Sequence, residues 1–595
     1  FLSKMLYNKL VMNNLDVSEI ILNRIVAINT IAKNDHRVVT RNDRSTYALT
    51  MKIAGRTTYV CGGERFVSDV NNMLLVDKNA RYQWHMDEKG KCVMIEFEGN
   101  VGNEPFGFID FTLTYTAAQE IAALFDETGR VAAEGRRKHR QIITAEGYIE
   151  HDPAEIMTQT AAAVRDALES GGIAPGSVLA IGLCDQRETV VTWDRRTGKP
   201  LTNAVVWQCG RAQALCRAIA EPDAAYVRQT TGLPLSPYFS AAKMAWLLRH
   251  CPAVQEAARQ GTLCLGTVDT WLLFCLTEGR TFATDVSNAS RTQLMDLLHT
   301  RWDPQLLALF GIPPEALPEI RCSDDLFGTT TLGGLFPQDV PIRAVMGDSH
   351  AALYGAGCGR EGMAKATYGT GSSVMLFTGR QPVVSRHGLA ATVAWGRNGQ
   401  TYYGLEGNIN YAGAVIEWLI HRAGLLTSAD EAETLALQAA PADGTVFVPA
   451  FTGLGAPHWA PEMRAAIVGM GSTTGRAEIV RAAVDSIAYQ VTDVLRAMAE
   501  DVGQPVAQLF CDGGAVRNRY LMQRQSELLR SVIRVAENQD GSCAGAAKMA
   551  GEAAGLYGGD TVFGAWQREY RPQQSAAWAE AEYDRWQSAV KQIKG

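Results

Sequence analysis

Residues 364–376 read AKATYGTGSSVML, two apolar runs separated by a short turn that contains Gly369 and Gly371. The pattern predicts a strand, a turn and a second strand. Glycine at both positions allows positive φ, so that backbone N–H groups can converge on an anion, and Thr370 and Ser372 add hydroxyl donors. A plain β-hairpin turn is the alternative, because a short glycine motif is weak support when it stands alone.

Two more glycine-containing turns follow along the chain. Residues 509–523, LFCDGGAVRNRYLMQ, predict a strand, a Gly-Gly turn and a helix. Such a junction places backbone amides and a helix N-terminus beside a ligand. The loop FTGLGAPHW at 451–459 is a third, less diagnostic candidate.

A carboxylate ends another predicted strand, RAVMGD at 343–348. Ligands of α/β proteins bind at the carboxyl ends of strands, where Asp348 could accept the proton of a substrate hydroxyl during phosphoryl transfer. Asp348 could instead cap the following helix, or it could have both roles. Arg187 and Glu188 follow the predicted strand VLAIGL at 178–183 and offer donors and acceptors for a polyol or sugar, or else form a surface ion pair.

The remaining pattern from about residue 121 onward alternates strands with helices. Residues 154–170 and 477–503 carry apolar side chains at helical spacing, and the second ends in a glycine. Strands that alternate with helices indicate an α/β fold.

The overall composition excludes several classes of protein. The 595 residues include 56 Lys+Arg and 63 Asp+Glu, a net charge of −7, which argues against nucleic acid as the main ligand. No apolar run approaches the roughly 18 residues that a membrane span needs. Twelve scattered cysteines without a Cys-x-x-Cys pair fit a reducing cytoplasm. We therefore expect a cytoplasmic protein that acts on small solutes, with neither nucleic acid nor membrane as partner.

The first 112 residues have a different composition, with short β-prone runs at 46–53, 56–61, 72–76 and 91–97. Their pattern predicts a small antiparallel barrel or sandwich. Residues 17–112 resemble the N-terminal sensing barrel of AraC-type regulators, through YALTMKIAGRTTYVCGGERF, NMLLVDKNARYQW and CVMIEFEGN. No helix-turn-helix follows, and with only His36 and His85 in the region a clustered-histidine metal site is absent.

Seven motifs in order resemble the FGGY carbohydrate kinases, closest to the glycerol kinase members. They span about 121–560: QRETVVTWDRRTGKPLTNAVVWQ, GLPLSPYFSAAKMAWLL, GTVDTWLL with TDVSNASRT, GDSHAALYG, ATYGTGSS, FVPAFTGLGAPHW and DGGAVRNRYLMQ. The resemblance implies a two-lobed, actin-like ATPase fold of the ribonuclease H-like type, with the active site in the cleft. It also implies ATP and Mg²⁺ as cofactors and the phosphorylation of a polyol or sugar hydroxyl.

The same resemblance assigns roles to individual residues. Asp348 matches the general base, and Arg187, Glu188 and Tyr238 match residues that hold polyol hydroxyls. The phosphate-binding hairpin falls on Gly369, Thr370 and Gly371, whereas the adenosine side falls on Gly413, Glu417, Gly514 and Asn518. No side chain is assigned as a metal ligand, and whether the chain forms a homodimer stays open.

Three departures from the family pattern bear on function. Ser349, after the base, stands where glycerol kinases usually have Gln, and Ser373 stands where they have an aromatic residue. Both changes remove bulk and add hydroxyls, so we expect a longer or more oxygenated substrate, such as a tetritol or a ketose. The family's first Asp-Gln-Gly-Thr motif falls on Thr114-Tyr115-Thr116-Ala117, which lacks the Asp and the Gly.

The third departure leaves two hypotheses for this chain. The first is an ATP-dependent polyol or sugar kinase, and the alternative is a catalytically weakened sugar-sensing or regulatory fusion. The expected division is an all-β, cupin-like domain at 1–112, a kinase lobe with substrate and base at 113–358, and an ATP-binding lobe at 359–595.

Overall fold

The computed structural model describes nine N-terminal strands and residues 119–594, without 442, 461, 537–540, 559, 560, 562, 564 and 565. By contacts the chain divides into two compact units. The first comprises Phe1–Ala118 with His139–Glu150, and the second comprises Gln119–Lys138 with His151–Gly595.

The first unit contains two antiparallel sheets. Their orders are β1-β8-β3-β6-β9 and β2-β7-β4-β5. The strands are β1 Ile20–Lys33, β2 Val39–Arg41, β3 Tyr47–Ala54, β4 Thr57–Cys61, β5 Glu64–Ser68, β6 Asn72–Val76, β7 Tyr82–Met86, β8 Gly90–Val101 and β9 Phe106–Asp110. The predicted β-prone runs fall on β3, β4, β6 and β8.

The N-terminal half of the second unit, up to Gly355, alternates strands with helices, as expected. The strands between residues 119 and 355 are β10 Gln119–Phe125, β11 Val131–Lys138, β12 Gln141–Ile143, β13 Ile149–His151, β14 Ile181–Asp185, β15 Val191–Asp194, β16 Ala204–Val205, β17 Leu263–Gly266, β18 Ala283–Asp285, β19 Met295–Asp296, β20 Arg301–Trp302, β21 Glu319–Arg321, β22 Gly328–Thr330 and β23 Val340–Gly347. Of these, β12 and most of β13 belong to the first unit. The helices of the N-terminal half are α1 Pro153–Gly171, α2 Gln213–Ala218, α3 Glu221–Thr231, α4 Ser240–His250, α5 Pro252–Arg259, α6 Val268–Leu276, α7 Val286–Ala289, α8 Pro304–Phe310 and α9 Asp348–Gly355.

Two features of this half bear on its architecture, the caps of α1 and the pairing of β14 with β23. Helix α1 begins where the Asp152 side chain accepts a hydrogen bond from the Ala154 N–H, with Pro153 in the first turn, and it ends at Gly172 with φ 60°. Strands β14 and β23 are parallel neighbours, and Asp185 pairs with Gly347. The segments that leave these two strands therefore start side by side.

The C-terminal half, from Met363, is built on a seven-stranded sheet of order β26-β27-β25-β24-β30-β31-β32. The strands of this half are β24 Met363–Tyr368, β25 Ser372–Gly379, β26 Ala390–Arg397, β27 Gln400–Ile409, β28 Val446–Val448, β29 Ala466–Val468, β30 Gln508–Asp512, β31 Val532–Ala536 and β32 Trp566–Tyr570. The helices are α10 Gly413–His421, α11 Glu431–Gln438, α12 Arg476–Val502, α13 Arg519–Leu529, α14 Gly541–Ala553 and α15 Ala576–Lys594.

Helix α12 supplies much of the core of this half. Val480, Val484, Ile487, Val491, Val494 and Met498 recur at spacings of three and four residues and are all fully buried. The helix ends at Gly503, whose φ of 73° favours glycine. This confirms the long core-facing helix that the sequence predicts over 477–503.

Helices α9 and α14 join the two halves by an unusually close crossing. A Cβ added to Gly545 would lie 1.7 Å from the carbonyl oxygen of Ala351, and one added to Gly355 would lie 2.8 Å from the Gly545 nitrogen. Only residues without a side chain allow the two backbones to approach this closely. Among the helices of the described residues, none is both long and apolar enough to cross a membrane.

Candidate active site

The site lies where β14 and β23 end. The chain turns sharply after β14, and Glu188 takes a φ of 62°, a conformation that non-glycine residues adopt rarely. Asp348 is the first residue of α9, and Gly347 occupies the cap position before it. The Asp348 carboxylate accepts a hydrogen bond from the Ser349 N–H at 2.6 Å but remains 47% exposed. The helix-cap interpretation of Asp348 is therefore wrong, since another residue holds that position.

A chain of buried charges connects Glu188 to Asp348. Arg291 Nε donates to Glu188 Oε1 at 2.6 Å, and Arg291 Nη2 lies 2.7 Å from Glu406 Oε2. Glu406 also accepts two hydrogen bonds from Arg187, whose Nε lies 3.1 Å from Asp348 Oδ1. The four inner side chains are at most 6% exposed, so these charges satisfy one another rather than water. The interpretation of Arg187 and Glu188 as a surface ion pair is thus wrong.

The pKa of Glu406 shows which interaction dominates in this chain of charges. Burial alone would raise the pKa of the carboxyl, but the guanidinium groups of Arg187 and Arg291 outweigh burial and hold it below its ordinary value. Glu406 is therefore ionised and anchors both arginines. Sequence reasoning missed Glu406 and Arg291. The available signal was a lone Glu within the apolar strand TYYGLEGNI, where a buried charge requires partners.

A carboxyl group lies behind Arg187, at the end of β14. Asp185 is 7% exposed and accepts hydrogen bonds from Asn288 Nδ2 at 2.8 Å and from the Asp269 N–H at 3.2 Å. Burial and the nearby Asp269 carboxylate raise its pKa well above the ordinary value.

An aromatic wall flanks the charges. The Tyr238 ring lies 5.5 Å from the Trp207 ring, centroid to centroid. Burial, together with the charge of Glu188, raises the pKa of Tyr238, so its hydroxyl stays neutral. The buried Lys243 holds this segment, because its Nζ donates to the carbonyl oxygens of Pro237 at 3.1 Å and Phe239 at 2.8 Å, and to that of Tyr238. Trp207 and Lys243 were not among the predicted site residues.

Three glycine-containing turns meet on the other side of the cleft. The Gly413 N–H donates to the Gly369 carbonyl at 2.9 Å, and the Ala412 N–H donates to that of Thr370 at 3.0 Å. A Cβ on Gly371 would lie 2.4 Å from the Ile409 carbonyl oxygen, and one on Gly413 would lie 2.7 Å from that of Gly369. The β24–β25 turn and the start of α10 therefore pack backbone against backbone.

The third turn, after β30, joins them through Gly513. This residue has a φ of 95°, and a Cβ there would lie 2.5 Å from the Tyr368 carbonyl oxygen. Gly514 starts a short 3₁₀ turn, and Asn518 Oδ1 accepts from the Leu521 N–H and caps α13. The structure thus brings Gly369, Thr370, Gly371 and Gly413 together. Glu417 lies further along α10, exposed and paired with His421 at 2.8 Å.

These turns have the features of a phosphate-binding site. Glycine at positions where a Cβ would collide with neighbouring backbone lets the turns pack closely, and α10 begins directly behind them, so its dipole favours a negative charge. The residues present therefore fit a nucleoside triphosphate. Within the described part of the chain, no cluster of three or more His, Cys, Asp or Glu side chains could hold a metal ion. The predicted motif Thr114-Tyr115-Thr116-Ala117 lies outside the described residues.

Ser349 and Ser373, which depart from the family pattern, lie between Asp348 and the glycine turns. Ser373 Oγ donates to Glu406 Oε1 at 3.0 Å and lies 3.5 Å from Ser349 Oγ. Ser349 Oγ in turn lies 3.2 Å from Asp348 Oδ1. Because Ser373 follows Gly371 by only two residues, these contacts place the glycine turn of β24–β25 next to Asp348.

Comparison with known proteins agrees with this geometry. Residues 116–355 match the N-terminal domain of the FGGY family of carbohydrate kinases, and residues 364–554 match its C-terminal domain. A glycerol kinase of Francisella tularensis subsp. novicida (strain U112) is 41% identical over 481 residues, which cover 80% of this chain and 96% of the relative.

Solved structures show the same fold. A crystal structure of Plasmodium falciparum glycerol kinase with ADP matches with a TM-score of 0.74 at 32% identity, over 80% of this chain and 96% of that one. A ligand-bound xylulose kinase from Lactobacillus acidophilus matches with a TM-score of 0.71 at 20% identity, over the same shares of the two chains. The expected two-lobed, actin-like ATPase fold is confirmed. The chain belongs to the FGGY family of carbohydrate kinases.

Proposed function

We propose that the protein transfers the γ-phosphoryl group of ATP to a hydroxyl of a small polyol or sugar, with Asp348 as the general base. The observation that carries the proposal is the contact of Ser373 with Ser349. Through this contact the Gly369–Gly371 turn lies close to the Asp348 carboxylate, which is 47% exposed and contacts Arg187, and this arrangement supports transfer of a phosphoryl group to a hydroxyl held at Asp348.

The residues of this chain have distinct tasks in that reaction. ATP supplies the phosphoryl group that is transferred, with Mg²⁺ neutralising its charge. Arg187, Glu188 and Tyr238 bind the substrate hydroxyls, and Asp348 takes the proton of the hydroxyl that attacks. The backbone N–H groups of Gly369, Thr370 and Gly371 stabilise charge on the phosphates.

The same proposal assigns the nucleotide side. Gly413, Glu417, Gly514 and Asn518 lie on or next to the turns that follow β27 and β30 and would line the adenosine end. Mg²⁺ commonly binds through substrate phosphates, waters and one or two carboxylates, so the cation does not need a dedicated cluster of protein ligands. An enzyme that uses ATP in this way belongs in the cytoplasm.

The alternative, a weakened sensing or regulatory fusion, rests on Thr114-Tyr115-Thr116-Ala117. The assembled base, charge chain and phosphate turns favour an active kinase over this alternative. Electrostatic stabilisation supplies most of the rate enhancement in phosphoryl transfer, and the glycine turns and charged residues described above contribute to it. Loss of one motif would lower the rate, tenfold for each 1.36 kcal/mol of barrier, without removing the base.

We further propose that the chain comprises a sensing domain at 1–112 and two kinase lobes at 113–358 and 359–595. Two antiparallel sheets support an AraC-like, cupin-type sensing barrel for the first part. If the barrel binds a sugar, that sugar changes the rate of ADP release without competing with the phosphoryl acceptor. Strictly competitive behaviour of every effective sugar would contradict a separate sensing site.

The kinase proposal is tested by coupled ADP release over a panel of polyols and ketoses, with Asp348→Asn as the matched variant. We expect substrate-dependent ADP release by the wild type and a loss of about 10²- to 10⁴-fold in Asp348→Asn. Substrate-independent release, or an Asp348→Asn enzyme as active as the wild type, would refute the assignment.

A further inference from the structure

The substrate pocket contains two side-chain hydroxyls that a three-carbon triol does not need. In the proposed function, one hydroxyl of such a triol attacks at Asp348 while the other two bind Arg187, Glu188 and Tyr238. Ser349 and Ser373 lie beside the base and contact the same carboxylates as Arg187, those of Asp348 and Glu406, with their Oγ atoms 3.5 Å apart. Both residues are only partly buried, so the pair is accessible from the cleft.

The two serines come from different halves of the second unit. Ser349 lies in the first turn of α9, directly after the base. Ser373 is the second residue of β25 and is paired with Asn408 of β27, so it lies on the same face of the sheet as Glu406, two residues before Asn408. The pair therefore links the two halves directly beside the base, where side chains of both can contact the substrate.

The one proton that each serine hydroxyl can donate is already used. Ser373 Oγ donates its proton to the Glu406 carboxylate at 3.0 Å, and Ser349 Oγ donates to the Asp348 carboxylate at 3.2 Å. A hydroxyl has one proton to donate and two lone pairs that accept. Because both protons point at carboxylates, the two serine oxygens can offer only lone pairs to a ligand. They would therefore bind a hydrogen-bond donor, such as a substrate hydroxyl.

We propose that Ser349 and Ser373 are specificity-determining residues that bind an additional hydroxyl group, and that the preferred substrate is a polyhydroxylated chain of at least four carbons. This inference rests on the proposed function, since it concerns the acceptor of the same phosphoryl transfer. A pocket built to bind a substrate hydroxyl discriminates against the analogue that lacks it, because its polar groups are then left unpaired.

The test separates chain length from hydroxyl count. The wild type is assayed by coupled ADP release with glycerol, erythritol, threitol and 1,2,4-butanetriol, the last having four carbons but one hydroxyl fewer than the tetritols. We expect kcat/KM for the better tetritol to exceed the values for glycerol and for butanetriol by about tenfold or more, the effect of one hydrogen bond to the substrate.

Variants then locate the preference in the two serines. In the double variant Ser349→Ala/Ser373→Ala, kcat/KM for the tetritol should exceed kcat/KM for butanetriol by no more than about threefold. The control is Ser170→Ala, which replaces an exposed serine of α1 and should keep the wild-type ratio of the two kcat/KM values. A wild type that prefers glycerol, or uses butanetriol as well as the tetritols, overturns this inference and leaves the kinase assignment intact. A wild type that shows no substrate-dependent ADP release refutes both. The wild-type ratios decide the question even if the double variant does not fold.

Discussion

Arg187 and Glu406 form a two-point ion pair across 219 positions of sequence, with N–O distances of 2.9 and 2.7 Å. Arg187 follows β14 in the N-terminal half, and Glu406 lies within β27 of the C-terminal half. The pair therefore joins the two halves of the kinase directly beside the base. It also orients the guanidinium group whose Nε contacts Asp348.

Replacing Glu406 with Gln should lower both stability and activity. The substitution leaves two buried guanidinium groups with insufficient negative charge, which typically costs about 3–5 kcal/mol of unfolding free energy. We also expect kcat/KM to fall more than tenfold, because Arg187 loses its orientation. Urea unfolding and coupled ADP release measure the two effects. The control is Glu319→Gln, an exposed carboxylate paired with Arg321, for which a change within about 0.5 kcal/mol is expected.

The contribution of Glu406 should disappear in acid. Its pKa in the folded protein lies below the ordinary value, because the two arginines outweigh burial. The stabilisation is therefore fully present above the unfolded-state pKa of about 4.3 and is lost as the pH falls toward the folded-state pKa. We expect the difference in urea midpoint between wild type and Glu406→Gln to be constant near pH 7 and to narrow below about pH 4.5. A difference that stays the same down to pH 3 would contradict this assignment of charge.

The helix crossing should not tolerate a side chain. In Gly545→Ala the new Cβ would overlap the Ala351 carbonyl oxygen, so α9 and α14 would have to separate. We expect a loss of about 2–4 kcal/mol in unfolding free energy, at the upper end of overpacking effects. Gly359→Ala is the matched control, since a Cβ there meets no atom within 4 Å. Equal stability of the two variants would show that the crossing is looser than described.

Asp493 should anchor the C-terminal helix. Its carboxylate accepts hydrogen bonds from Tyr583, Trp586 and Gln587 of α15 at 2.6–2.7 Å, and His458 Nε2 lies 2.7 Å away. Asp493→Leu leaves the buried Trp586 donor and the partly buried Tyr583 and Gln587 donors without this partner, and we expect a cost of about 3–5 kcal/mol. The control is Glu580→Gln, which breaks only the ion pair on the surface between Glu580 of α15 and Arg496 of α12. This variant should change stability by less than about 1 kcal/mol. Differential scanning calorimetry distinguishes the two outcomes.

Local patterns predicted the elements of the kinase region because each has a short-range cause. Helix α1 begins at an aspartate and ends at a glycine, and α12 repeats its apolar residues every three or four positions. The order of the motifs along the chain likewise identified the family and the position of Asp348. The division at residues 112 and 358 and the individual site roles stay predictions.

Some members of the site could not be read from these patterns. Glu406 and Arg291 are isolated charged residues in apolar surroundings, and nothing local shows that they meet. Gly545 resembles other helical glycines until the opposing backbone of α9 is known.

The sequence by itself determined the order of strands and helices, the glycine turns and the carboxylate at the end of β23, because these depend on neighbours within a few positions. Only the tertiary structure decided that Glu406 pairs with Arg187 and Arg291, and that Ser349 meets Ser373. Such contacts depend on desolvated charges and hydroxyls finding partners hundreds of residues away, a requirement that is met only when the two halves of the kinase pack together.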